Sequence, residues 1–208
     1  VSLANFGDLK SAVALYLNRS DLTSYIPDFV HLAESRIAYG SDAPYPSPPV
    51  RVPVMQNRAT GTISGAIAYP TGFLELILLR ISSGATNWKA DYADSGTFTD
   101  YSNSPDTPKV YTFLNNQIEL AGTGSGSYTL DYYKKLDAFS ADADTNTLLT
   151  TSPAVYLFGT LLESAPFLMD QQTAALLPGW FGMYKSAVSS LNRTTLKPAG
   201  GTLQVNAR

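Results

Sequence analysis

His31 is the only histidine in the chain and cysteine is absent, so a zinc site or a histidine-activated nucleophile would have to be built around one imidazole and carboxylates. His31 falls in an amphipathic stretch, where a surface or packed side chain is its ordinary role. Asp142-Ala143-Asp144-Thr145-Asn146 alternates oxygen ligands as the opening of a calcium loop does. Thr147 and Pro153 stand where such a loop needs its Gly and its bidentate Glu, so the run reads as a turn feeding a helix. Asp91, Asp94 and Asp100 lie in a polar stretch without the pairing a carboxylate hydrolase needs. Gly122-Thr123-Gly124-Ser125-Gly126 has the composition of a phosphate cradle, but a cradle opens onto a helix N-terminus and this run opens onto a strand pattern. It reads as a flexible hairpin loop. Asn18-Arg19-Ser20 and Asn192-Arg193-Thr194 fit the glycosylation sequon, which means little without a secretory signal. No catalytic set assembles, and the expectation is a protein that is not an enzyme and takes no metal or cofactor.

The elements around these residues follow from periodicity. Phe6, Leu9, Val13, Tyr16 and Leu17 recur at helical spacing and predict a helix over 6–18. Ile26, Phe29, Val30, Ala33 and Ile37 predict a second over about 23–39, with Pro27 in its first turn and Gly40 as its stop. Residues 41–49 hold four prolines and read as a stiff surface loop, with a ligand for a proline-recognising groove as the functional alternative. From Val50, Val52 and Val54 the period becomes that of strands: Thr60–Ile63, Ala66–Tyr69, then Phe73–Ile81, whose nearly continuous apolar run predicts burial on both faces. Pro70-Thr71-Gly72 and Asn115-Asn116 are turns, and residues 84–108 read as loop or short irregular helix. Val110–Phe113, Gln117–Leu120 and Tyr128–Tyr133 predict an antiparallel meander.

Thr147–Asp170 is the stretch the rest should pack on. Ser152 is placed to cap and Pro153 to open a helix that is apolar on nearly every side, with Glu163 its only charge before Asp170. Gly159 would let a neighbour approach, and Pro166 should kink or end the helix. A last helix is expected from Asp170 to about Asn192, broken near Leu177 by Pro178-Gly179, followed by an extended tail. The fold class is therefore α+β: a helical bundle from residues 1–40 and 141–193, an inserted antiparallel β-rich lobe over 50–140, and an extended C-terminal arm over 194–208.

The charge of −3 argues against binding nucleic acid through a basic surface, because such binding rests on phosphate neutralisation. Charged residues make up only 15%, and aromatics 12%, thirteen of them Tyr. That balance suits a chain that buries surface against other subunits. No apolar run reaches the roughly 18 residues of a membrane span, and the N-terminus lacks a signal peptide's basic and apolar regions, so the expectation is a soluble chain whose initiator Met has been removed.

Four stretches resemble the phage adaptor, or head-to-tail connector, family: Phe29–Ile37; Val52–Thr60 continuing to Tyr69–Leu76; Leu130–Ser140; and Asn146–Leu149 continuing through Tyr156–Gly159 to Glu163–Phe167. The proline-rich 41–49 and Pro178-Gly179 depart from the family pattern. The resemblance implies a structural virion protein of the neck, assembled in the host cytoplasm. It implies a dodecameric ring that docks under the portal, extends the DNA channel without reading sequence, and offers a platform for tail or nozzle proteins. It makes Thr202, Leu203, Gln204, Val205, Asn206, Ala207 and Arg208 the candidate portal-docking arm. Tyr45, Trp88, Tyr92, Phe98 and Tyr101 become candidate ring-interface anchors. The alternative is a β-lobe binding module, an adhesin or carbohydrate-binding domain that uses Trp88, Tyr92, Phe98 and Tyr101 as a stacking platform.

Overall fold

Asn5 starts the first helix. Its backbone is extended, and its side-chain oxygen accepts from the Asp8 N–H at 2.9 Å, satisfying one donor that the helix cannot pair itself. The structure, a computed structural model, describes residues 3–19, 21–42, 44–63, 65–101, 106, 108–168 and 171–195. Its elements run α1 (Phe6–Leu17), α2 (Ile26–Tyr39), a 3-10 turn (Pro53–Met55), β1 (Gln56–Thr62), β2 (Ala66–Ala68), β3 (Phe73–Ser83) and β4 (Thr86–Lys89). Then follow β5 (Asp91–Tyr92), α3 (Ser95–Tyr101), β6 (Val110–Leu114), β7 (Gln117–Ala121), β8 (Ser127–Lys134), α4 (Thr147–Thr151), α5 (Pro153–Leu168) and α6 (Gln171–Thr195). The fold is α+β. Contacts divide it into two compact units, one drawn from both ends of the described chain, up to Met55 and from Leu136 onward, and one from Gln56–Lys135.

In the helical unit α5 touches α1, α2, α4 and α6. Val155, Tyr156 and Leu161 are wholly enclosed, each fully buried apolar side chain being worth about 1.5–3 kcal/mol. A Cβ at Gly159 would stand 3.4 Å from the Ala33 methyl and 3.5 Å from the Tyr184 ring, so α2 and α6 both come close to α5 there. The acidic turn fastens α1: Phe6 N–H donates to the Asp144 carbonyl at 2.8 Å and Gly7 N–H to the Asp142 carbonyl at 2.9 Å. Phe6 stacks on Phe139 with ring centroids 5.1 Å apart.

One helical expectation changes. Pro153 opens α5 as expected, and Thr147–Thr151 ahead of it forms its own short helix, α4, which Ser152 ends (φ −146°, ψ 76°) and Asn146 caps by accepting from the Leu149 N–H. α5 ends two residues past Pro166, at Leu168. α6 continues through Pro178 because Trp180, Tyr184 and Leu191 beyond it are buried, and packing outweighs the hydrogen bond that proline removes.

The β unit is a sandwich of two four-stranded sheets, ordered β1-β8-β3-β4 and β2-β7-β6-β5. Ile67, Leu79, Ile81, Tyr111, Ile118, Leu120, Leu130 and Tyr132 fill the space between them. Tight turns follow local chemistry: Asn115 and Asn116 both have positive φ in the β6–β7 hairpin, and Gly72 (φ 74°) closes the turn that Phe73 N–H completes on the Pro70 carbonyl. The expected meander is corrected. β8 pairs with β1 and β3, not with β7, so 122–126 carries the chain from one sheet to the other. Val50 and Val52 are buried but outside any strand. β3 alternates between buried and exposed positions, since only one face meets the opposite sheet. Residues 84–108 contribute β4, β5 and α3, and β5 runs parallel to β6, the exception to the antiparallel pattern.

Candidate interaction surfaces

The residues with catalytic or ligating types are scattered over several elements, and Asp94 and Asp144 have structural tasks. His31 is about half exposed, its Nδ1 3.2 Å from Glu34 one turn on. Asp144 takes hydrogen bonds from Ser140 N–H, Ser140 Oγ and Ala141 N–H at 2.7–2.9 Å, and the backbone donors of Ala141 and Ser140 hold its carboxyl below the usual range. Asp94 caps α3 through Gly96 and Thr97, whose backbone N–H and hydroxyl lower its carboxyl in the same way. Among the described residues no group of three or more His, Cys, Asp or Glu side chains could hold a metal ion, and no helix is long and apolar enough to cross a membrane. The glycine run from Gly122 to Gly126 leads into a strand and bridges the sheets.

One polar cluster is buried in the helical unit. Arg36 of α2 donates from Nε to Glu163 Oε1 of α5 at 2.5 Å, and from Nη1 to the Tyr45 carbonyl at 2.8 Å. The Tyr45 carbonyl belongs to the proline-rich loop, which closes on itself through Ser41 and Ser47, each donating to the other's carbonyl at 2.8–2.9 Å. The Tyr184 hydroxyl sits beside Ser47 and the Arg36 guanidinium without a well-formed hydrogen bond, and burial pushes it up to about 12. This arrangement pins a loop; it activates no nucleophile.

The candidate anchors lie on different elements. Tyr45 packs its ring on Phe181, centroids 5.2 Å apart. Trp88 is directed to the sandwich core opposite Ile81 and donates Nε1–H to the Pro108 carbonyl at 2.9 Å. Tyr92 is 61% exposed and meets Tyr111 and Phe113 edge-on or tilted. Phe98 and Tyr101 lie on α3, Phe98 half-buried and Tyr101 exposed. Among the described residues no ring contact joins Trp88, Tyr92, Phe98 and Tyr101 to one another. Thr202, Leu203, Gln204, Val205, Asn206, Ala207 and Arg208 lie outside the described residues.

Sequence reasoning missed the surface apolar residues of the helical unit. Tyr25, at the N-cap of α2, and Leu32 and Tyr39 within it recur every seventh position and are 45%, 51% and 64% exposed, flanking the face that buries Phe29, Val30, Ala33 and Ile37. Phe167 extends this stripe by packing on Tyr25. A second set, Tyr16 and Leu17 of α1 with Leu176 of α6, lines a groove of about 580 Å³ together with the buried Trp180. The signal was present: apolar residues on two faces of α2 exceed what one core face needs.

A family model described as SU10 adaptor protein matches residues 4–205. No curated protein matches the chain.

Proposed function

The chain belongs to the SU10 adaptor protein family, a phage head-to-tail adaptor family, and on that premise we propose that it assembles into a closed ring beneath the portal and carries the DNA channel onward to the tail. The observation that carries the reading is the family match, which spans nearly the whole chain. Other features support it. Asp94 and Asp144 serve a cap and a turn, Arg36 pins a loop, and large apolar side chains stand exposed on both units. Such residues are what subunit contacts bury. In this reading the helical unit and the β lobe are the two bodies of each subunit, and the arm over 194–208, with Thr202–Arg208 at its end, reaches the portal. Tyr92 and Tyr101 are the anchors most available to a neighbouring copy.

Light scattering on the full chain mixed with the portal protein of the same phage tests this. A ring-sized assembly is expected; a chain that stays monomeric and ignores portal overturns it. A chain ending at residue 193 should keep its melting temperature and lose portal docking. Unchanged docking removes the arm's assignment and leaves the ring.

A further inference from the structure

The two sheets of the sandwich carry opposite charge. Strands β1, β3, β4 and β8 bring Arg58, Arg80, Lys89 and Lys134 against Glu75 and Asp131. Strands β2, β5, β6 and β7 bring Asp91 and Glu119 and no Lys or Arg; α3, which contacts β6 and β7, adds Asp100 and its cap Asp94. Lys109, one residue before β6, is exposed, and its carbonyl accepts from the Asp91 N–H at 2.9 Å. Because Leu79, Ile81, Leu130 and Tyr132 point into the core, alternation turns Arg58, Arg80 and Lys89 to the outer face of the first sheet. Ile118 and Leu120 point inward likewise, and Glu119 is outward on the second sheet, half-buried and accepting from Gln117 Nε2 at 2.7 Å.

Arg80 and Lys89 are direct cross-strand partners, and both are exposed. Like charges in that position repel. The nearby Asp131 is already engaged by Arg58, through Nε at 2.5 Å and Nη2 at 2.9 Å. The basic and acidic sheets share an edge, where the chain steps from Lys89 on β4 through buried Ala90 to Asp91 on β5, with exposed Tyr92 beside it.

We infer that the basic sheet of one copy docks on the acidic sheet of the next, Arg80 and Lys89 facing Asp91 and Glu119, so that β lobes stack head to tail around the assembly. This rests on the ring reading and deepens it. Two different patches of opposite sign on one chain are what a heterologous, ring-closing contact requires, whereas a two-fold contact would press like charge on like. A nucleic-acid surface would account for the basic sheet and leave the acidic one without a role. Strand spacing and rise give such a face roughly 400 Å², about half of one partner's share in a standard interface. The contact is therefore salt-sensitive and works alongside others.

Two full-length variants test it, R80E/K89E with both sheets acidic and D91K/E119K with both basic. Sedimentation velocity at low salt reads self-association, and circular dichroism checks that each variant folds. Each variant alone should associate roughly 100-fold more weakly than the wild type, and an equimolar mixture should recover assembly by strict alternation. Variants that assemble like wild type, or a mixture that stays dissociated while wild type assembles, overturn the sheet contact and leave the ring reading intact. Wild type and mixture both remaining monomeric, even with portal added, overturn both. Loss of duplex DNA binding by R80E/K89E without any change in assembly would assign the basic sheet to nucleic acid instead.

Discussion

Arg36 and Glu163, 127 residues apart in sequence, meet at 2.5 Å between α2 and α5, with Arg36 almost fully enclosed and Glu163 about one-fifth exposed. Removing one member of a buried pair leaves the other charge without compensation, which costs more than the pair's net worth. Arg36→Met should therefore destabilise by roughly 3 kcal/mol. Glu163→Gln keeps an acceptor and should cost about 1–2 kcal/mol. The double variant Arg36→Met/Glu163→Met should lose less than the sum, because each single change already removes the same interaction. Urea midpoints at constant slope measure all three. Arg36→Met should also speed proteolysis within 41–49, since it frees the Tyr45 carbonyl.

Tyr156 and Tyr184 are both deeply buried, and burial raises both hydroxyl pKa values, Tyr184 to about 12 and Tyr156 further. Their unfolded values lie near 10. Because the folded values are raised, the stability they contribute is complete below pH 10 and is lost as the pH rises. Each should contribute a slope of about 1.4 kcal/mol per pH unit between pH 10 and 12. Burial and the Asp91 carboxylate raise Tyr111 as well, so some slope remains in Tyr156→Phe/Tyr184→Phe. At neutral pH the single changes differ. Tyr156→Phe removes the acceptor that Asn146 Nδ2 reaches at 2.7 Å and should cost about 1–2 kcal/mol. Tyr184→Phe removes a hydroxyl without a well-formed bond and should be neutral or stabilise by up to about 1 kcal/mol.

Acid should release α1. Asp144 is held below the usual carboxylate range by the N–H groups of Ala141 and Ser140, so its contribution is present above the unfolded value near 3.9 and is lost as the pH falls through the lower folded value. The same turn presents the carbonyls that accept from Phe6 and Gly7, and Asp142 holds Lys10 at 2.5 Å. Hydrogen exchange at the amides of Phe6 and Gly7 should accelerate below pH 4 before the amides of α5 do. Asp144→Asn should reproduce that acceleration at neutral pH, and equal protection would show that the turn does not fasten the helix.

Local chemistry made much of the fold legible. Pro27 and Gly40 bound α2, Pro70 and Gly72 make a turn, and Asn115-Asn116 closes a hairpin, because each conformation is decided within a few residues. Pairing across the sandwich was not legible. β8 finds β1 rather than its neighbour β7, a choice made by the core that Leu130 and Tyr132 join and not by the residues of 122–126. Trp88 looked like a free aromatic because its neighbours are polar, yet one step of strand parity turns it inward. Arg36 and Glu163 carry no mutual signal at their separation. Tyr25, Leu32 and Tyr39 were hidden by the stronger core stripe on the same helix.

Gly122 decides whether β8 can reach its sheet. Its φ of 117° is one that side chains rarely adopt, and a Cβ there would stand 2.5 Å from the Asp106 carbonyl oxygen, backbone that cannot swing aside. Gly84, in the β3–β4 turn, has φ 59°, and a Cβ there would meet no atom within 4 Å. Gly84→Ala should then cost only the left-handed strain, about 1–2 kcal/mol. Gly122→Ala adds a collision to a less favourable φ and should cost more than about 3 kcal/mol. The two variants add the same methyl to the same unit, so comparing their thermal unfolding isolates the sheet-to-sheet step. If Gly122→Ala melts no lower than Gly84→Ala, the loop has room to move and β8 is not held in its sheet by that turn.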